Sequence, residues 1–199
     1  LSGLVGSEMC IRDSDGITPD MLVAAKGLGA GYQPIGAVLV SKRIYEAVQR
    51  GSGSLWHGHT YMGHATACVA ALAVQRVIQK RNLLRSVQEQ GSYLYEQLIR
   101  YFGQHPHVGD IRGRGLFVGI ELVADRITKS SFPPQCKLHD RIKRRAMEVG
   151  PICYPGNGCV DGFLGDHVLL APPFIIQRKE IDEIISLFEM ALTQALSEI

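Results

Sequence analysis

A repeated change of hydrophobic period restricts the fold more than any other feature of this chain. Apolar runs at residues 22–25 and 35–41 flank a stretch carrying Gly27, Gly29 and Gly31, and longer segments follow in which apolar residues recur every three or four positions. Short β-rich runs alternating with helical ones indicate an α/β architecture. Helices are predicted over 42–49, 64–79, 83–102 and 137–149, and from 178 onward. The second long helix carries Leu84, Val87, Tyr95, Leu98 and Tyr101 at helical spacing. The last carries Ile181, Ile184, Ile185, Phe188, Leu192 and Leu196 on one face. Residues 108–123 read as a hairpin broken at Gly113 and Gly115, and 168–171 as a strand stopped by Pro172 and Pro173. Residues 51–63, 130–135 and 155–165 read as loops. A break near residue 105 separates two parts, expected as domains over 15–104 and 105–199.

Composition removes several function classes. With 21 Lys+Arg against 19 Asp+Glu, the charge of +2 is far from the basic stripe that neutralises phosphodiesters, so a nucleic-acid partner is not expected. The longest apolar run, residues 67–74, is far short of the roughly 18 residues that cross a membrane. Cys10, Cys68, Cys136, Cys153 and Cys159 form no C-x-x-C pair, which favours free thiols and a cytoplasmic setting. His57, His59 and His64 cluster, but no carboxylate or cysteine completes a metal set, and no metal is expected. His105, His107, His139 and His167 read as surface or capping groups.

Residues 1–14 are set apart. Residues 4–14, L-V-G-S-E-M-C-I-R-D-S, follow neither a helical nor a strand period. They resemble the translation, in one frame, of the adapter that a widely used transposase-based sequencing-library method attaches to DNA. Residues 1–14 are therefore excluded from the fold reading.

Lys26 is the chemical candidate. It follows an apolar strand and opens G-L-G-A-G, where glycines let another group approach. The order is wrong for a P-loop, in which the lysine closes the glycine run, and G-x-G-x-G leading into a strand is not the dinucleotide fingerprint. By spacing alone, a structural lysine in a glycine turn fits equally well.

The motif A-A-K-G-L-G-A-G-Y-Q-P-I-G-A at 24–37 resembles the class III aminotransferases, fold-type-I enzymes dependent on pyridoxal 5'-phosphate. H-G-H-T-Y-M-G-H-A at 57–65, R-G-R-G-L at 112–116 and L-L-A-P-P-F-I-I at 169–176 follow in that family's order and spacing. The resemblance covers 15–199. It implies the C-terminal part of such an enzyme: the end of the large cofactor-binding domain, then a small α+β C-terminal domain. It further implies that Lys26 forms the Schiff base with the cofactor aldehyde and shuttles the proton during transfer. His59 and Thr60 would face the cofactor of a partner subunit, Thr60 reaching its phosphate, in a homodimer with shared active sites. A helix N-cap is the alternative role for Thr60.

Transfer of an amino group from an amine or ω-amino acid to a keto acid such as pyruvate is the implied reaction. Aminomutase, racemase or decarboxylase chemistry on the same fold, or a non-catalytic remnant, are the alternatives. Subfamilies that grip an α-carboxylate carry arginine in the strand before A-P-P, where this chain has Leu169 and Leu170. Tyr154 is the nearest equivalent of a mobile arginine found in other members, and Arg112 or Arg114 is the remaining candidate for a carboxylate. The acidic partner of the pyridine nitrogen, the stacking ring and the main phosphate cup are expected before residue 15. These residues alone are therefore not expected to transaminate, and apolar surface is expected around 35–40 and on the Ala-rich helix.

Overall fold

The computed structural model describes residues 16–199, so the scar-like segment 1–14 lies outside the described residues. The chain divides into two compact units, one ending at Asn82 and one starting at Leu83.

In the first unit, β1 (Met21–Ala25) and β2 (Gly36–Val40) pair antiparallel from Met21↔Val40 to Ala25↔Gly36. A single 3-10 turn (Lys26–Leu28) begins where β1 ends. Helix α1 (Lys42–Arg50) follows β2, and helix α2 (Ala65–Lys80) follows the long loop. Asp20, just ahead of β1, accepts a hydrogen bond from Ser41 Oγ at 2.9 Å and pairs with Arg43, closing the open end of the strand pair. One face of the pair is bare: Val23 is 73% and Val38 59% exposed, and Met21 and Val40 share that face. Val69, Leu72 and Val77 of α2 are exposed as well. Two strands rarely hold together without a third element to cover them.

The second unit is a four-stranded antiparallel sheet in the order β3-β4-β6-β5, made of β3 (Val108–Arg114), β4 (Phe117–Leu122), β5 (Tyr154–Asn157) and β6 (Asp166–Leu170). Helices α3 (Leu83–Phe102), α4 (Leu138–Val149) and α5 (Arg178–Leu196) pack on it. Val118, Ile120 and Leu122 of β4, with Val168 and Leu170 of β6, alternate inward as a half-buried sheet requires. They meet Leu94, Leu98 and Phe102 of α3, and Ile181, Ile185, Phe188 and Leu192 of α5. The Phe102 and Phe188 rings contact edge-on at 5.2 Å. A capping box between Gln177 and Glu180 starts α5, and Gly150, at φ +124°, with Pro151 after it, stops α4.

The compact units divide at Asn82/Leu83 because the buried stripe Leu83, Val87, Gly91, Leu94, Leu98 and Phe102 commits α3 to the second unit. Three expectations are revised. Helix 83–102 was expected to carry Leu84, Tyr95 and Tyr101 on its core face, but its buried stripe is set one position away, with Tyr95 41% and Tyr101 49% exposed. The stretch 155–165, read as loop, opens with β5, whose Pro155 and Gly156 are tolerated because the strand lies at the sheet edge. The four histidines read as surface or capping groups are half-buried: His105 against Phe102, His107 on Phe132, His139 bonded to Asp166, and His167 under Gly156.

Candidate active site

The local sequence explains the setting of Lys26. Apolar pairing carries β1 to Ala25, and the following glycines turn the chain at once. Lys26 stands in the left-handed region at φ +46°, with Ala30 at +48° and Gly31 at +78° completing the reversal. Gly29 N and Ala30 N donate to Lys26 O and Gly27 O at 3.1 and 3.2 Å, so the backbone of the turn satisfies itself. A Cβ on Gly29 would lie 2.9 Å from Ile35 Cγ2, which makes glycine a packing requirement there. A left-handed lysine costs of order 1–3 kcal/mol and persists only where its surroundings fix it. Here they do, since Leu28 is buried and its carbonyl accepts a hydrogen bond from Gln75 Nε2 of α2 at 3.0 Å.

Gln75 is the residue that sequence reasoning missed. It anchors the lysine turn to α2 across 47 positions, and its Oε1 is buried without a partner among the described residues. A polar side chain interrupting the apolar run of an Ala-rich helix was the available signal. The Lys26 side chain itself is exposed and has no ion-pair partner among the described residues. The nearest carboxylate in sequence, Asp20, lies at the far end of β1. Its bonds from Arg43 and then Ser41 hold its carboxyl below the usual range, and it is committed to them.

Residues 51–63 form an exposed loop with Trp56 90% exposed. Met62 N donates to His59 O at 3.0 Å, which puts Thr60 inside a tight turn ahead of α2. The helix cap is His64, whose Nδ1 accepts from Ala67 N at 3.3 Å. Thr60 is therefore not the N-cap, and its exposed hydroxyl has no partner among the described residues. No hydrogen bond or ring contact joins Lys26 to His59 or Thr60 among the described residues. Nor does any group of three His, Cys, Asp or Glu side chains there stand close enough to hold a metal.

A family model described as aminotransferase class-III matches residues 4–192. The chain belongs to the class III aminotransferase family. An uncharacterized aminotransferase of Schizosaccharomyces pombe is 44% identical over 185 residues, covering 93% of this chain and 40% of its own. A transaminase structure from the marine bacterium Virgibacillus superposes with a TM-score of 0.87 at 30% identity, covering 94% of this chain and 42% of its own. An amine transaminase from an uncultivated Pseudomonas species, solved in its PLP-bound internal aldimine form, gives 0.82 at 34% identity, with coverage of 92% and 40%. This class III chain thus spans about two fifths of the length of these relatives.

Against that family background, the candidate carboxylate-binding residues separate. Arg112 donates to Asp110 at 2.7 Å and to Glu121, its neighbour on β4, at 3.1 Å. Those bonds raise the guanidinium further and hold the Asp110 carboxyl low. An arginine carrying two internal carboxylates is poorly placed to take a third. Arg114 lines a groove with Gln88, Ser92 and Tyr95. The R-G-R-G-L glycines have a packing role. A Cβ on Gly113 would lie 2.2 Å from Phe117 O, and Gly115, at φ +58°, touches Gly91 of α3 backbone to backbone. In β6 the two leucines differ: Leu170 is buried in the core, while Leu169 lies on the opposite face, between Gly119 of β4 and Tyr154 of β5 in the ladder.

Proposed function

We propose that this chain carries the lysine-bearing part of a pyridoxal 5'-phosphate-dependent transaminase that moves an amino group from an amine or ω-amino acid to a small keto acid such as pyruvate. The observation that carries the reading is the exposed, unpaired Lys26 at the head of a glycine turn fixed by Gln75, inside a chain of the class III family. The fit to the cofactor is chemical: an amine free of any carboxylate for the aldehyde, and a free Thr60 hydroxyl ahead of the α2 amides for a phosphate oxygen. Bound, the cofactor supplies a carbonyl and an electron sink.

The protein supplies position and proton transfer. Lys26 Nζ would accept the proton that leaves the amine-bearing carbon of the donor and return it within the same half-reaction to the cofactor carbon. In the second half-reaction it would do the reverse, delivering a proton to the former keto carbon of the acceptor. The turn held by Gln75 fixes the backbone from which that nitrogen reaches, a gain in orientation. His59 and Thr60 serve the site of a partner subunit in a homodimer, which accords with their exposure and with their lack of contact to Lys26. Leu169, with Arg112 engaged elsewhere, favours donors without an α-carboxylate. Among the described residues no helix is long and apolar enough to cross a membrane, and Cys68, Cys136, Cys153 and Cys159 are free thiols, in keeping with a cytoplasmic enzyme.

The test is amine exchange by the full-length protein with added cofactor. Alanine formed from pyruvate in step with consumption of a terminal amine supports the proposal. Turnover of the amine that does not depend on any keto acid would replace it with a racemase, aminomutase or decarboxylase reading.

A further inference from the structure

Asn157 ends β5, is exposed, and is followed by Gly158 at φ +80°. A Cβ at 158 would lie 2.7 Å from Gly162 O, so the glycine is required by the close approach of the loop backbone. As a glycine it has no side chain to shield its own amide nitrogen. An exposed side-chain amide next to such a backbone nitrogen is the arrangement from which a cyclic imide forms once the end of the strand frays. We propose that Asn157 is a site of spontaneous deamidation whose products loosen β5 from the C-terminal sheet.

The chemistry needs only water. Hydroxide removes the Gly158 amide proton, and the nitrogen attacks Asn157 Cγ. A carbon–nitrogen bond forms as the bond from Cγ to the side-chain nitrogen breaks, and that nitrogen takes a proton from water and leaves as ammonia. Water then opens the five-membered imide at either carbonyl, giving an aspartyl residue or an isoaspartyl link, with no change of oxidation state. The attack requires Asn157 to leave the extended conformation. It can do so by local fraying, because it is the last residue of a four-residue strand with no neighbour on its outer edge among the described residues.

The consequence follows from register. Asn157 pairs with Asp166, and directly opposed residues of an antiparallel pair share a face. Asp166 is buried and accepts from His139 N at 3.2 Å and lies 2.7 Å from His139 Nδ1, which ties β6 to the start of α4. An aspartyl product sets a second carboxylate opposite the first. An isoaspartyl product adds a methylene to the main chain and puts the ladder from Asn157 to Tyr154 out of step with β6.

Aged full-length protein, digested and mapped by mass spectrometry with isoaspartate detection, reads the modification. Asn82, which precedes Leu83, is the internal control, and Asn157→Gln blocks the five-membered ring. The expected result is conversion at Asn157 ahead of Asn82, faster at higher pH, with isoaspartate in excess of aspartate. Amide hydrogen exchange over 154–157 should also be faster in Asn157→Asp than in Asn157→Gln. Asn157 left intact while Asn82 converts would overturn the site, and equal exchange in the two variants would overturn the loosening.

Discussion

Gly91→Ala in α3 tests the close approach that holds the R-G-R-G-L turn in place. Judged by helix propensity alone, the substitution stabilises the protein by about 0.8–1.0 kcal/mol, because glycine is the poorest interior helix residue after proline. The structure reverses the sign. An added Cβ would lie 2.4 Å from Gly115 C, 2.5 Å from its O and 2.6 Å from its Cα, about 1 Å inside ordinary contact. The obstacle is backbone, pinned between buried Leu116 and the β3–β4 register, so it cannot rotate away as a side chain would. Overpacking of this kind costs typically about 1–3 kcal/mol, and backbone obstruction belongs at the upper end. Subtracting the propensity gain leaves a net loss of roughly 1–2 kcal/mol. Denaturant midpoints of wild type, Gly91→Ala and Ser92→Ala, an exposed neighbour on the same helix, read the difference. A Gly91→Ala protein as stable as wild type, or more stable, would refute the packing argument.

Three further outcomes are expected. Leu169→Arg should raise kcat/KM for α-carboxylate donors by roughly ten- to a hundredfold relative to matched terminal amines, the worth of a charge-assisted contact of about 1.5–3 kcal/mol; no shift in the ratio would remove Leu169 from donor selection. Gln75→Leu should lower kcat with little change in protein stability at other sites, because the Leu28 carbonyl loses its donor and the lysine turn its anchor; unchanged kcat would show that the turn holds itself. Burial, and then His107, keep His105 below the ordinary histidine value, with Glu189 opposing. The unfolded chain therefore binds that proton more readily, and stability should fall as pH drops through about 6.5. His105→Asn, which keeps an acceptor for His107 N, should flatten that part of the stability profile, and an unchanged slope would contradict the assignment.

What was legible in the sequence was periodic or local. The helical period of α3, the stripe of α5, the glycine break between β3 and β4 and the Gly150-Pro151 stop of α4 all depend on neighbours within a few residues, and the structure has them, although the buried face of α3 runs through Leu83, Leu94 and Phe102 and not through Leu84, Tyr95 and Tyr101. Features that depend on partners far along the chain were hidden. Strand β5 has a sequence, Y-P-G-N, that argues against a strand, and exists because β6 offers it an edge. The engagement of Arg112 by Glu121 depends on the β3–β4 register, and the anchoring of Lys26 by Gln75 on the packing of α2 over the turn. The strand-to-glycine setting of Lys26 was legible, whereas the cap at the start of α2 was assigned to Thr60 as an alternative and belongs to His64. The apolar surface expected around 35–40 and on the Ala-rich helix is present in Val38, Val40, Val69 and Leu72.

The central claim is that Lys26 is the amine that engages the cofactor aldehyde. Borohydride reduction of the full-length protein with pyridoxal phosphate bound, followed by digestion and mass spectrometry of the lysine-containing peptides, tests it directly. The account predicts a pyridoxyl group on Lys26 and none in Lys26→Ala. Its appearance on any other lysine, with Lys26 unmodified, would contradict the account.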